Sequence, residues 1–300
     1  MRTRPRSVRA ALAACGLDRV DAEVLLAHTL GHNRAWLIAH ADETLPVVLD
    51  THFTDLAARR RKGEPVAYLI GRREFRDLEL EIDPSVLIPR PETETLVEVA
   101  LGKLPADRVS RVLDPGTGSG AVALAIAHER PLARVLATDR SKIALDVARR
   151  NAQRLGLANV AFARGDWYAA LRTTKVGARG SPARTRLPAL AQAVANAAPT
   201  FDVIVSNPPY VAEADPHLGK GDLRFEPRRA LAAGPDGLDA LRTIIGEALP
   251  FLVPGGWLAV EHGYDQADAV RALFDAAGFD EFTAVRDLAG IVRVAAGRRK

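Results

Sequence analysis

Four short apolar runs constrain this chain more than any other feature. Arg111 to Asp114, Ala133 to Thr138, Val160 to Ala163 and Phe201 to Val205 each centre on apolar residues, many of them β-branched or small. Such runs, with little polar relief, read as strands buried on both faces. Ala121 to Glu129 and Ser141 to Leu155 lie between the first three and read as helices, Ser141 being suited to cap the second. Strand–helix alternation repeated in this way requires a parallel sheet with helices on both faces, an α/β architecture.

The first strand runs into Asp114-Pro115-Gly116-Thr117-Gly118-Ser119-Gly120. Its glycines let backbone approach a ligand closely and open a helix at its positive end. Read as Gly116, Gly118 and Ala121, the stretch also fits the dinucleotide fingerprint with a small third residue. Asp139 ends the second strand, about where an acid bonds ribose hydroxyls. Asp166-Trp167 follows the third, supplying an acceptor for an exocyclic amine and an indole to cover a ring. These residues predict an adenosine-type cofactor and leave nicotinamide and S-adenosylmethionine both open.

Ser206-Asn207-Pro208-Pro209-Tyr210 follows the fourth strand. Two prolines without N–H groups carry the backbone out of the sheet stiff and extended. They leave the carbonyls of Asn207 and Pro208 without a local donor, beside the Asn207 carboxamide and the flat face of Tyr210. Hydride transfer wants an acid–base side chain near a carbonyl. Acceptors next to an aromatic ring instead suit a planar group carrying NH2, and methyl transfer to its nitrogen.

The remainder is read more coarsely. Ser7 to about Lys62 is helical, in segments that include Arg34 to His40 and Val47 to Lys62, and predicts a small bundle. Glu74 to Ile82 and Val86 to Ile88 read as a hairpin turning at Asp83-Pro84. Pro91 suits the first turn of a helix that continues through Leu96 and Leu101. Pro254-Gly255-Gly256 reads as a tight turn, and two closing strands are expected at Phe282 to Val285 and Val292 to Ala295. Residues 172–200, rich in Ala, Arg, Gly and Pro, read as a surface insertion with a short helix near 187–194. His28, His32, His40 and His52 match no standard metal-ligand spacing, so no metal is expected.

The net charge is +4, too mild to indicate nucleic acid, and the run Arg59-Arg60-Arg61-Lys62 reads as a solvated helix end. A single cysteine, Cys15, excludes an internal disulfide and points to a small buried hydrophobe in a cytoplasmic protein. No apolar run is long enough to span a bilayer, so no membrane partner is expected.

The glycine loop together with Asn207-Pro208-Pro209-Tyr210 resembles the class I S-adenosylmethionine methyltransferases that modify exocyclic or amide nitrogens. More narrowly, four further stretches are similar to those of the bacterial release factor glutamine methyltransferases. They are Leu87-Ile88-Pro89-Arg90-Pro91-Glu92-Thr93-Glu94, Gly165-Asp166-Trp167, Gly221-Asp222-Leu223-Arg224-Phe225-Glu226-Pro227 and Asp287-Leu288-Ala289-Gly290. Pro115 departs from the leucine expected there, and the 172–200 segment is longer than usual.

The resemblance implies a Rossmann-like domain with a seven-stranded sheet at 93–300, a helical substrate-binding domain at 1–73 and a β-hairpin linker at 74–92. It implies N5-methylation of the glutamine in the Gly-Gly-Gln motif of class I peptide chain release factors, without direct nucleic-acid contact. Gly116, Thr117, Gly118, Ser119 and Gly120 would hold the methionine part of S-adenosylmethionine, Asp139 the ribose, and Asp166 and Trp167 the adenine, with Asn207 also at the cofactor. Asn207 through its side chain and Pro208 through its carbonyl would accept the two amide hydrogens, while Pro209 and Tyr210 complete the substrate site and Tyr210 packs on the amide plane. Two rivals remain at this stage: DNA adenine-N6 methylation, which uses similar loops, and a non-catalytic RNA- or ribosome-binding adapter.

Overall fold

The computed structural model describes residues 6–172 and 201–300. The expected insertion beyond Arg172 and its helix near 187–194 lie outside the described residues. The chain divides into two compact units: residues up to Arg72 together with Gly219–Phe225, and the remaining described residues.

The smaller unit is helical: α1 (Val8–Ala14), α2 (Arg19–Leu30), α3 (Arg34–Ala39), α4 (Val47–Arg61) and α5 (Val66–Ile70). Its helix ends carry the expected chemistry. The Ser7 side chain accepts from the Ala10 N–H, Asp18 from Val20 and Asp21, and Asn33 from Trp36. Gly31 closes α2 in the left-handed conformation at φ 70°. Val8, Leu25, Leu26, Phe53 and Leu56 form the core, with Cys15 buried among them. At five residues α5 is too short to announce itself by periodicity; it is held by the burial of Ala67, Tyr68 and Leu69. The basic run at the end of α4 is exposed apart from half-buried Arg60, and its arginines are also paired. Arg60 bonds Asp21 at 2.5 Å and Asp222 at 3.0 Å, and Arg59 bonds Glu64 at 2.8 Å. Arg61 donates to the Cys15 carbonyl at 2.5 Å.

The larger unit opens with the β1 (Arg72–Phe75) and β2 (Leu78–Glu81) hairpin, then α6 (Thr93–Lys103). The alternation follows as β3 (Arg111–Pro115), α7 (Ala121–Glu129), β4 (Arg134–Asp139), α8 (Lys142–Arg154), β5 (Val160–Arg164) and α9 (Ala169–Arg172). After β6 (Phe201–Ser206) come α10 (Asp239–Glu247), β7 (Leu252–Glu261), α11 (Ala267–Ala277), β8 (Asp280–Arg286) and β9 (Val292–Arg298). Seven strands form one sheet in the order β5-β4-β3-β6-β7-β9-β8. The pairs from β5 to β7 are parallel, and β9 runs antiparallel to both its neighbours. The core under the sheet includes Leu113, Leu136, Ile204, Leu241, Leu258 and Phe274. The strand order reverses between β3 and β6, because the chain leaves β3 toward β4 on one side and later returns to β6 on the other. A crevice opens at the carboxyl ends of strands at such a switch point.

Three expectations need correction. The hairpin turns at Arg76-Asp77, with Arg76 at φ 50°, and not at Asp83-Pro84. Val86 to Ile88 is not a strand. Asp83 accepts from the Ser85 N–H at 2.8 Å, which turns the chain, and the Ile88 N–H donates to Glu226 at 3.0 Å instead of to a ladder. Pro254-Gly255-Gly256, expected as a tight turn, is an irregularity inside β7, where Phe201 faces Leu252 and Val203 already faces Trp257.

Candidate active site

The crevice holds a cavity of about 420 Å³, an ordinary size for a small-molecule site. Its floor comes from the ends of β3 and β6, which pair in parallel across the switch point. The Ser206 hydroxyl donates to the Pro115 carbonyl at 2.6 Å, bringing the glycine loop beside the Asn-Pro-Pro-Tyr loop.

Asp114, at the end of β3, is buried and accepts from the Thr117 hydroxyl at 2.6 Å. Burial pushes its carboxyl up to about 7, against the pull of that hydroxyl and the Ala123 N–H. The Gly116 and Thr117 N–H groups both donate to the Thr138 carbonyl, at 2.8 and 2.9 Å. This tucks the loop against β4. Gly116 stands at φ 82°, and a Cβ there would meet Cζ3 of Trp167 at 3.0 Å. Gly118 donates to Asp139 at 3.0 Å, and the Ser141 N–H fills the other oxygen of that carboxylate at 2.7 Å. Burial raises the Asp139 pKa, while those two N–H groups and the charge of Arg229 oppose it.

Asn207 donates through Nδ2 to the Thr93 hydroxyl at 2.9 Å, which leaves Oδ1 as an acceptor. The Tyr210 hydroxyl donates to Glu261 at 3.0 Å, and its backbone carbonyl accepts from Gln266 at 2.9 Å. The roof comes from Ser85 to Pro89 and Arg229 to Gly234. Glu226 secures it, because its buried carboxylate accepts from the Ile88 N–H at 3.0 Å and pairs with Arg90. Arg229 reaches Ser141 Oγ at 3.2 Å.

Gly116, Thr117, Gly118, Ser119, Asp139, Asp166, Trp167, Asn207 and Pro209 line the cavity. Gly120, Pro208 and Tyr210 lie outside that lining. Gly120 instead caps α7 in the left-handed conformation, with no room for a Cβ between Leu124 and Ala148. Pro208 is buried, and Tyr210 packs against the core with its hydroxyl turned to Glu261. His262 is also off the cavity; burial lowers its pKa, and its Nδ1 bonds the Gly263 carbonyl at 2.8 Å. Sequence reasoning assigned no part to Thr93, Glu261, Gln266 or Arg229. Glu261 had one usable signal: like Asp114 and Asp139, it is an acid ending an apolar strand.

The fit to an adenosine-type cofactor can be judged from the cavity itself. A glycine loop that lets backbone approach closely at a helix start, an acid after the second strand and an indole over the loop are the close-approach surface, acceptor and ring face that such a group needs. No histidine, lysine, glutamate or tyrosine lines the cavity among the described residues. Fold and site together are those of a class I S-adenosylmethionine-dependent methyltransferase. A family model described as PrmC N-terminal domain matches residues 6–71, and one described as methyltransferase domain matches 106–277. A Xylella fastidiosa (strain 9a5c) protein named release factor glutamine methyltransferase is 51% identical over 282 residues, 94% of each chain. A Burkholderia pseudomallei (strain K96243) protein of that name is 50% identical, covering 99% of this chain and 98% of its own. The Escherichia coli (strain K12) protein of that name is 42% identical over 96% of this chain and 94% of its own. The chain belongs to the release factor glutamine methyltransferase family.

Proposed function

We propose that this protein methylates the N5 nitrogen of the glutamine in the Gly-Gly-Gln motif of class I peptide chain release factors, in the cytoplasm. The observation that carries the reading is the Asn207 carboxamide, held at the carboxyl end of β6 beside the glycine loop and over the same cavity.

A carboxamide nitrogen is a poor nucleophile because its lone pair is delocalised into the carbonyl. Asn207 Oδ1 and the Pro208 carbonyl accept its two hydrogens, draw electron density toward nitrogen and fix its direction. Pro209 and Tyr210 shape the slot for the amide plane. Gly116, Thr117, Gly118 and Ser119 would hold the methionine part of the cofactor, with Gly120 turning the chain into α7 behind them, Asp139 the ribose, and Asp166 and Trp167 the adenine. S-adenosylmethionine, when bound, supplies a methyl group on a positively charged sulfur. No strong base is needed at the start, because the methylated amide is acidic and sheds its proton late. The helical unit, about residues 1–73, receives the protein substrate, in keeping with the family match at 6–71.

The test is mass spectrometry of release factors incubated with the protein and S-adenosylmethionine, with duplex DNA as a parallel substrate. One added methyl group on a glutamine side chain is the expected result. Label in DNA and none in protein would overturn the reading.

A further inference from the structure

Behind the Asn-Pro-Pro-Tyr loop one glutamine ties three loops together. Gln266 is buried at 8% exposure and stands at the N-cap position of α11. The best capping residues have short side chains that reach the N–H groups of their own helix. The Gln266 side chain makes no cap bond and reaches the other way. Its Oε1 accepts from the Gly263 N–H at 2.8 Å, in the turn after β7. Its Nε2 donates to the Tyr210 carbonyl at 2.9 Å and to the Asp236 carbonyl, ahead of α10, at 3.4 Å. A backbone N–H only donates and a carbonyl only accepts, so these partners allow one orientation of the carboxamide. Gly237 packs over the junction at φ 76°, where a Cβ would meet the Tyr210 oxygen at 2.4 Å and Nε2 at 2.9 Å.

We propose that Gln266 is a positioning residue for methyl transfer, which sets the direction of the Pro208 carbonyl by holding the loop two residues farther on. The proposal rests on the amide-methylation reading above and deepens it. Pro208 and Pro209 have no N–H groups, so the loop cannot be tied through the nitrogens at those positions. Each proline fixes φ at about −65°, so the segment is stiff and holding its two ends fixes its middle. At the near end the Ser206 hydroxyl is bonded to the Pro115 carbonyl at 2.6 Å. At the far end the peptide between Tyr210 and Val211 is held on both sides. Its N–H donates to the Leu231 carbonyl at 2.9 Å, in the roof, and its carbonyl accepts from Gln266, at the junction of β7 and α11. The Pro208 carbonyl lies between these ends, and on the amide reading it is the second acceptor for the substrate. Without Gln266 the far end turns about the ψ angles of the prolines, and the Pro208 oxygen swings away from the amide hydrogen. The cofactor side of the cavity keeps its own supports.

The titratable groups of the surrounding elements are Asp265 and Asp268 beside Gln266, Asp236 ahead of α10, and Glu261 and His262 at the end of β7. Asp236 is turned to Arg242 at 3.0 Å, Glu261 accepts from the Tyr210 hydroxyl, and His262 Nδ1 bonds the Gly263 carbonyl. Parent and variants share all of them, so a ratio to the parent at each pH isolates position 266.

The experiment compares the full-length protein with Gln266→Met and Gln266→Glu. Methionine keeps the length of the side chain and removes its hydrogen bonds. The carboxyl of Gln266→Glu keeps the acceptor for Gly263 and donates to Tyr210 only while protonated. Burial raises the pH at which it ionises, so its titration is followed from about pH 6 to about pH 9. The readouts are kcat and KM on a release factor, cofactor affinity by calorimetry, and exchange of the Val211 amide by NMR without substrate. Gln266→Met should lose on the order of 10- to 100-fold in kcat, with cofactor affinity unchanged. Its Val211 amide should exchange faster while the amides of β6 keep their protection. Gln266→Glu should approach the parent kcat at the acid end and fall to the level of Gln266→Met at the alkaline end. A ratio that stays constant across the range overturns the proposal, and so does cofactor affinity lost in step with kcat. Should Gln266→Met fail to fold, the pH dependence of Gln266→Glu decides alone. Should the parent protein leave release factors unmethylated, the substrate reading falls, and Val211 exchange in Gln266→Glu relative to the parent at each pH still decides whether Gln266 holds the loop.

Discussion

At Gly116 two constraints coincide: a left-handed φ of 82° and a Trp167 ring 3.0 Å from where a Cβ would stand. Gly116→Ala should therefore cost ~1–2 kcal/mol in backbone strain and displace the indole. The expected outcome is a lower unfolding midpoint together with weaker S-adenosylmethionine binding in calorimetry. A stability loss with binding untouched would remove Trp167 from the cofactor site. Asn207 predicts the opposite division. Its Nδ2 is spent on Thr93, and on the proposed reading its Oδ1 is the group offered to substrate. Asn207→Ala should lose turnover far more than cofactor affinity, and equal losses would make it chiefly a cofactor contact.

The roof of the cavity is irregular backbone, and side chains hold it where a ladder would hold a strand. Among the described residues Ser85 to Pro89 belongs to no sheet; one hold on the rest is Glu226, which takes the Ile88 N–H at 3.0 Å and pairs with Arg90. Val211 and Ala232 form one further bridge on the other side. Removing one partner of a buried pair typically costs ~3–5 kcal/mol, because the other is left uncompensated. Glu226→Ala should therefore loosen the roof while the sheet stays intact. Hydrogen exchange would show it as lost protection at Ile88 with the amides of β3 and β6 unaffected. Uniform loss across the sheet would mean that Glu226 supports the whole unit. At the far edge, β8 is largely exposed, and a register shift between Asp280 and Thr283 with Glu281 at φ 50° breaks its ladder. Such an irregular, charged edge resists pairing with another chain.

For the molecule as a whole, the two buried acids set a pH dependence of stability. Burial raises Glu261 from 4.5, and Asp114 from 3.8, to about 7 each. Between pH 5 and 7 the folded chain holds protons that the unfolded chain has already released. Stability present at low pH is thus lost as pH rises through about 7. For Glu261 alone the gap between pH 5 and pH 8 is up to ~3 kcal/mol. Glu261→Gln should flatten the profile by that order, gaining stability relative to the parent at pH 8. Urea unfolding of both proteins at pH 5 and pH 8 checks this, and parallel shifts would remove Glu261 as the source.

Much of this molecule was legible in the chain. Apolar strand runs, helix caps such as Ser141, and the glycine loop act over a few residues, where sequence alone fixes the physics. They gave the parallel sheet and its crevice, and by resemblance the family. Val86 to Ile88 misled because β-branched apolar residues suit any buried extended backbone, and only the distant Glu226 shows that no ladder forms there. The position of Tyr210, turned inward to Glu261, was equally out of reach. Contacts across large separations in the chain decided these points: Ser206 with Pro115, Asn207 with Thr93, Tyr210 with Glu261. A polar side chain has no preferred partner until the fold has excluded water and brought one donor to one acceptor. The chain by itself determined the glycine loop and pointed to the class of chemistry, and tertiary structure decided which groups stand behind Asn207 and which way its amide faces.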